Sequence, residues 1–339
     1  MEPSKDEIVD LMMGFFKAKA ITAALELRLF DTLRERPATI REICACADIP
    51  EQSGKRLLIA LHAMGLLTRE GEAYALTETA SKYLVSDSSE WLGWLARHID
   101  IFLYPLWANL AAAVRSGLDQ REAVFGDNRS WFDILYNDPR DVVDFQRFLG
   151  ILAKPFVEGF VQGFDITPYK RFLDIGSGIG NLPMAVADAN QHLDIDICEL
   201  PKAANFVREQ LAQRGYSDRI GVIEGDVILG TLREHNYDLV HLGWMLHDFA
   251  PELQIKILKN VLKAMPSGGV FVASETPLDD DEAGPSFVSL LSINMLVSTD
   301  GGIESTRSQY IERFKDAGFV DVRVVDISGS RTLFVGQKP

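Results

Sequence analysis

The chain predicts an α/β protein: a parallel sheet with helices on both faces, preceded by a helical amino-terminal module that ends in a hairpin. Three observations predict it. Strand-like apolar runs near Phe172, Ile195, Val222, Val240 and Phe271 alternate with helical stretches, and such alternation builds a parallel sheet between helices. The first run leads into RFLDIGSGIG, where alternate glycines separate a strand from a helix. Before residue 90 the order is different, with two short helices followed by two strands.

At the amino terminus, the apolar stretch GFFKAKAITAALELRLF predicts a helix from Leu11 to Phe30. It has more hydrophobic surface than one small module can cover, and an exposed patch of that extent marks an interface between two copies. The segment ATIREICACADIPEQSGKRLLIALHAMGLLTREGEAYALTETA then reads as a capped helix, a turn at Ile49 and Pro50, a second helix, and two strands joined at Glu70-Gly71. That is the pattern of a winged helix. Many winged helices bind DNA, but the second helix offers only Lys55 and Arg56 before an apolar run, and the chain carries a net charge of −15. A phosphate-neutralising face is therefore lacking, and nucleic acid is not an expected partner. A winged-helix regulator that senses a metabolite is the reading from another class, and the same acidity counts against it.

From Trp91 to Asp165 the sequence is helical and rich in aromatics, which at helical spacing are more often core than a ligand box. After the alternating strands and helices, including a helix from Pro251 to Met265 with a periodic apolar face, FVDVRVVDISGSRTLFVGQ reads as a hairpin closed at Gly329. The expected organisation is residues 1–90, an amino-terminal module; 91–165, a helical linker and cover; and 166–339, the α/β domain.

With 339 residues, 47% of them hydrophobic, the chain can bury ample core. MEPSKDEIVD lacks the basic and then apolar regions of a secretory signal, and no apolar run approaches the roughly 20 residues of a membrane span. Cytoplasm is the expected compartment, with no membrane partner. Cys44, Cys46 and Cys198 form no disulfide framework and have no zinc spacing, so small buried thiols are expected.

The glycine turn bends tightly and lets backbone touch a ligand that a Cβ would exclude. A dinucleotide fingerprint needs glycine where Asn181 stands, and a phosphate-binding loop needs Gly-Lys-Ser/Thr, which is absent. Pyrophosphate is thus disfavoured. Glu199 ends the next strand-like run 19 residues after Gly180, the spacing at which an acid meets ribose hydroxyls, and Asp226 ends a third run where it could accept from an adenine amino group. Each acid alone reads as a solvated loop residue; three strand ends in register point to a nucleoside.

These residues sit within motifs that resemble the metal-independent small-molecule O-methyltransferases dependent on S-adenosylmethionine, the caffeic acid and hydroxyindole type that includes bacterial antibiotic-tailoring enzymes. LDIGSGIG resembles LDVGGGxG, CELPKAA resembles FDLPxV, EGDV resembles GDFF, LGWMLHDF resembles LKWxLHDW, and FVASETPL and GGIESTRSQYIERFKDAGF match two further elements. The resemblance implies a Rossmann-like class I methyltransferase domain with an antiparallel carboxy-terminal strand, and an amino-terminal winged-helix dimerisation domain that makes a homodimer. It implies S-adenosyl-L-methionine as cofactor, S-adenosyl-L-homocysteine as product and no metal. The resemblance implies Asp174, Gly176, Gly178, Glu199, Leu200, Gly225, Asp226, Val227, Gly243 and Trp244 as cofactor-binding, and Phe145, Leu149, Met295 and Thr299 as substrate-binding, although Thr299 and Asp300 depart from the pattern.

Transfer to a phenolic or enolic hydroxyl of an aromatic secondary metabolite is the expected reaction. A phenol near pKa ~10 is largely protonated at neutral pH, so a base is useful. The LHD element implies His247 as that base, with Glu275 and Glu304 holding its other nitrogen. His62, His98, His192, His235 and His241 read as satisfied or surface residues. Gly243 replaces a lysine of the pattern, Phe249 a tryptophan, Ser305 an arginine and Leu149 a methionine. Relatives that methylate nitrogen or carbon, or that hydroxylate or decarboxylate, are the alternative within the fold; the three residues His247, Glu275 and Glu304 favour oxygen.

Overall fold

The computed structural model describes residues 2–135, 137–232, 237–329 and 331–339; Tyr136 and His235 lie outside them. The chain forms two compact units, Met1–Tyr104 and Pro105–Pro339. Residues 91–104 of the expected linker thus belong to the first unit and 105–165 to the second.

In the first unit the amino-terminal apolar stretch is not one helix. Helices span Lys5–Met12, Phe15–Glu26 and Leu29–Thr32. The first break falls at Gly14, a poor helix former, and the second at Arg28, whose left-handed φ of 55° turns the chain. Thr39 and Glu42 form a capping box that starts the helix Ile40–Cys46, followed by Glu51–Ala63. Strands β1 (Ala38–Thr39), β2 (Leu67–Glu70) and β3 (Ala73–Leu76) pair antiparallel in the order β1-β3-β2. Leu29, Phe30, Ile43, Leu58, Leu61 and Tyr74 fill the core beneath. Cys44 is buried as expected, but Cys46 is exposed, because it lies two residues away on the helix and faces outward. Leu11 is 76% exposed, Met12 74%, Phe15 55% and Phe16 54%.

In the second unit the five predicted parallel strands are β4 (Arg171–Ile175), β5 (Asp194–Glu199), β6 (Ile220–Glu224), β7 (Leu239–Gly243) and β8 (Val270–Glu275). The tail forms the expected hairpin of β9 (Val320–Asp326) and β10 (Thr332–Gln337). The sheet order is β6-β5-β4-β7-β8-β10-β9, with β10 antiparallel to both neighbours. Strand order reverses around β4, which pairs with both β5 and β7. In open α/β sheets ligands bind at that reversal, beyond the carboxyl ends of the strands.

Each face of the sheet carries its own core. Phe156 and Phe160, from the long helix Pro139–Gly163, pack with Phe172, Ile197, Val272 and Leu333 on one face. On the other, Ile257, Leu258 and Val261 of the helix Pro251–Ala264 and Phe314 of the helix Arg307–Ala317 pack with Val240, Phe271 and Phe334. Alternate residues of each strand serve opposite faces. Among the described residues no helix is long and apolar enough to cross a membrane.

Candidate active site

The glycine turn follows β4 directly. Gly176, Gly178 and Gly180 have φ of 68°, 65° and 78°, a left-handed region in which a side chain is strained. A Cβ on Gly178 would also come within 2.9 Å of Gln146 Oε1 on the long helix, and one on Gly176 would run into the methyl of Met245. Close packing and backbone conformation both require glycine here. The Gly178 N–H donates to Glu199 Oε1 at 3.1 Å, which ties the turn to the end of β5. Glu199 is 6% exposed; burial pushes its pKa up to about 7, Asp174 adding to the rise against the Gly178 N–H.

Beside it, Leu200 caps the helix Pro201–Gln213, and the Gly225 N–H donates to the Glu199 carbonyl at 3.0 Å. Asp226 uses Oδ1 to accept from the N–H groups of Ile228 and Leu229 at 2.7 and 3.1 Å, while the Val227 side chain is packed in the core. Ser177 Oγ and Trp244 Nε1 are buried with no hydrogen-bond partner among the described residues. Such orphaned donors beside left-handed glycines and a buried acid fit a polar ligand with nucleoside and amino-acid parts. Trp244 itself has φ of 52°, a strain of about 1–3 kcal/mol in a non-glycine residue.

Asp174 points to the long-helix face, where Oδ1 pairs with His241 Nδ1 at 2.6 Å, and His241 Nε2 meets Ser274 Oγ at 2.9 Å. This buried chain makes His241 a satisfied core histidine, as expected. His62 bonds the Leu67 carbonyl and His192 the Tyr169 carbonyl, while burial pulls the His98 pKa down to about 4.

His247 lies in a single helical turn, Leu246–Asp248, after β7. Its Nδ1–H donates to Glu304 Oε1 at 2.6 Å. The two glutamates, grouped by sequence, have different positions. Glu275 Oε2 is 3.9 Å from Nδ1, and Oε1 accepts from the N–H groups of Met245 and Leu246 at 3.0 and 2.8 Å. Glu275 therefore props the turn, while Glu304 holds the ring, because the end of β8 lies under the turn and the Glu304 loop lies beside the imidazole. Nε2 makes no hydrogen bond among the described residues, with Asp248 Oδ1 at 3.7 Å.

His247, Glu275 and Glu304 are nearly or fully inaccessible to water, and the Asp248 side chain is 15% exposed. Burial alone would drive the His247 pKa down, but Asp248, Glu304 and Glu275 together outweigh it and raise it to about 10. Burial pushes Asp248 up to about 6 and Glu275 to about 7, with the His247 charge opposing both rises. The Glu304 loop docks on the histidine backbone: the Ile303 N–H donates to the His247 carbonyl at 2.8 Å, and a Cβ on Gly302 would meet that carbonyl at 2.8 Å.

Of the sequence-predicted acceptor residues, Phe145 and Leu149 are half-buried on the long helix, and Met295 is buried on the helix Ser286–Ser298. Thr299 Oγ1 accepts from the Gly302 N–H at 3.0 Å and donates to the Met295 carbonyl at 2.8 Å. Its hydroxyl closes the turn leading to Glu304. Gly243 ends β7, where a Cβ would lie 2.7 Å from His241 Cε1 and 2.9 Å from Ser274 Oγ, so the buried chain fills the space of a side chain. Sequence reasoning missed Gln146 beside Gly178 and also Arg331, whose guanidinium lies over the rings of Phe156 and Trp244; neither has a local sequence signal. Among the described residues no group of three or more His, Cys, Asp or Glu is arranged to hold a metal.

Comparison with known proteins matches the O-methyltransferase domain family to residues 107–320 and the O-methyltransferase dimerisation domain to residues 9–86. The chain belongs to the O-methyltransferase family. This O-methyltransferase is 55% identical to the S-adenosyl-L-methionine-dependent methyl transferase PigF of Serratia sp. (strain ATCC 39006), over all of this chain and 97% of that protein. It is 31% identical to the tetracenomycin polyketide synthesis 8-O-methyl transferase TcmO of Streptomyces glaucescens, over 98% of this chain and 96% of that one. The structure of PigF with SAH has a TM-score of 0.96 at 57% identity, covering 99% of this chain and all of the other. Human N-acetylserotonin methyltransferase in complex with SAM has a TM-score of 0.89 at 27% identity, covering 100% and 99%. The protein is an S-adenosylmethionine-dependent methyltransferase of the class I fold.

Proposed function

We propose that this methyltransferase acts on a phenolic or enolic hydroxyl of an aromatic small molecule in secondary-metabolite biosynthesis, with His247 as general base. The observation that carries the reading is the imidazole held by Glu304 at 2.6 Å through Nδ1, which leaves Nε2 to take a proton. Bound S-adenosylmethionine supplies a methyl group activated by its sulfonium. Gly176 and Gly178 admit the cofactor close to the backbone, Glu199 accepts from its ribose hydroxyls, and the acceptor is positioned in line by the walls carrying Phe145, Leu149 and Met295. With its pKa raised to about 10 the ring is largely charged at neutral pH, so the form with Nε2 open grows as pH rises, and its basicity then matches a phenol of pKa ~10.

A neutral amine attacks through its lone pair and loses its proton afterwards; a buried, carboxylate-flanked histidine suits a hydroxyl better. A 28% identical relative from Streptomyces sahachiroi named 3-hydroxy-5-methyl-1-naphthoate 3-O-methyltransferase supports an aromatic hydroxyl. Incubation with methyl-labelled S-adenosylmethionine and a panel of hydroxylated and aminated aromatics, read by mass spectrometry, tests the proposal. Label on oxygen is expected; label only on nitrogen or carbon would overturn it. The exposed residues Leu11, Met12, Phe15 and Phe16, within the span matched by the dimerisation domain, support a homodimer. Sedimentation as a dimer at micromolar concentration, lost on deletion of residues 1–30, is expected.

A further inference from the structure

We propose that Arg331 binds the carboxylate at the amino-acid end of S-adenosylmethionine, entering the site from the carboxy-terminal hairpin. The inference rests on the cofactor binding at the glycine turn. Thr332 pairs with Glu275 at the last position of β8, so residue 331 lies beyond the strand, at the sheet edge where β4 and β7 also end. Leu333 packs with Phe156 on the long-helix face, and alternation along β10 sends Arg331 to the same face. The hairpin tip is pressed onto that helix: a Cβ on Gly329 would lie 2.8 Å from the Pro155 carbonyl.

The guanidinium is clamped between two rings, with its central carbon 4.6 Å from the Phe156 centroid and 4.8 Å from the Trp244 centroid. Both contacts are of the cation–π kind and use none of its N–H donors. No hydrogen bond or ion pair joins Arg331 to another described residue. Burial pulls its pKa down to about 10, with Glu275 and Asp174 opposing the fall. Neither acid makes an ion pair with it: Asp174 Oδ1 is bonded to His241 and Glu275 Oε1 to backbone, while Glu275 Oε2 has no hydrogen-bond partner among the described residues. On the same face Gly243 stands where the resembled pattern carries lysine, so β7 supplies no cation of its own there.

A half-buried cation with unused donors calls for an anion. Adenine and ribose are neutral and the sulfonium is positive, so the carboxylate is the one anionic part of the cofactor. Its two oxygens match the guanidinium edge. Without it, Arg331 would repel the sulfonium.

The test is calorimetric binding of S-adenosylhomocysteine and of 5′-methylthioadenosine, the same thioether nucleoside without the amino-acid end, to the wild type, Arg331→Met and Arg331→Lys. Arg331→Met is expected to weaken S-adenosylhomocysteine roughly 10- to 100-fold and leave methylthioadenosine within about twofold. Arg331→Lys, which keeps the charge and loses the fork, should fall between and serves if the methionine variant does not fold. Equal loss for both ligands would make Arg331 a scaffold residue and overturn the proposal. Unchanged S-adenosylhomocysteine binding with a raised KM for a carboxylate-bearing aromatic acceptor would overturn it in favour of an acceptor contact. A wild type that binds neither nucleoside would instead overturn the cofactor reading beneath it.

Discussion

The two halves of the ligand edge are built in opposite ways. Along the ends of β4, β5 and β6 the site is mostly backbone, with three left-handed glycines and one buried acid that takes the Gly178 N–H. Around the ends of β7 and β8 it is ionisable side chains: His247, Glu275 and Glu304 are withdrawn from water, with Asp248 mostly so. The first half holds a ligand through shape and N–H groups, with Glu199, raised to about 7, as its titrating contact, whereas clustered acids and an imidazole in the second set where a proton resides. Binding and proton removal should therefore fail separately.

The largest effect is expected at His247. His247→Ala should lose roughly 10²- to 10⁴-fold in turnover while the Kd for S-adenosylhomocysteine stays within about twofold by calorimetry. Full turnover with a phenolic acceptor would erase the division between the halves. The reciprocal experiment combines Gly178→Val with Glu199→Ala. Cofactor at a hundred times its Kd stabilises the wild type by about 2.7 kcal/mol, and the double variant should show no such shift in a thermal melt; an equal shift would remove the glycine turn from the binding site.

Within the proton-handling half, the two glutamates should separate. Glu304→Gln should cost roughly tenfold in turnover by weakening a charged hydrogen bond to the ring, with a small change in Tm. Glu275→Ala leaves two backbone N–H groups without their acceptor and should lower stability by about 1–3 kcal/mol, seen first in Tm. Identical behaviour of the two variants would collapse the distinction drawn from their geometry.

The smallest effect concerns pH. The unprotonated base accumulates as pH climbs toward about 10, so turnover of a fixed acceptor should rise with pH on the acid side, and Asp248→Asn should move that limb to lower pH by about one unit or less. Because the folded pKa lies above the ordinary 6.5, the stabilisation from charged His247 is complete below about 6.5 and lost as pH rises through about 10. Melting temperatures should fall on the alkaline side in the wild type and fall less in His247→Ala. An acid limb that Asp248→Asn leaves in place would show that another group controls it.

What could be read in advance follows the same division. The glycine turn lies within ten consecutive residues, 171–180, and its conformation is demanded locally, so its place after a strand was legible. The LHD element marked His247 for a similar reason. The partner of its ring was not legible, because Glu275 and Glu304 share one chemistry and differ only in which atom each reaches. The breaks at Gly14 and Arg28 were hidden inside a continuous apolar pattern, which reports burial and says little about where a helix bends. Thr299 and Asp174 were marked for ligands, and folding turns their bonded oxygens inward, to the Met295–Gly302 turn and to His241.

By itself the sequence determined the α/β class, the strand order along the chain, the glycine turn and the place of the LHD histidine, since each is encoded by residue type at short spacing. Only the tertiary structure decided that Glu304 holds the imidazole while Glu275 props the turn beneath it, that Asp174, His241 and Ser274 form one buried chain, and that Arg331 lies over the rings of Phe156 and Trp244. Those choices join segments far apart in the chain. They depend on differences of about an ångström in the placement of packed strands and helices, which local pattern does not carry.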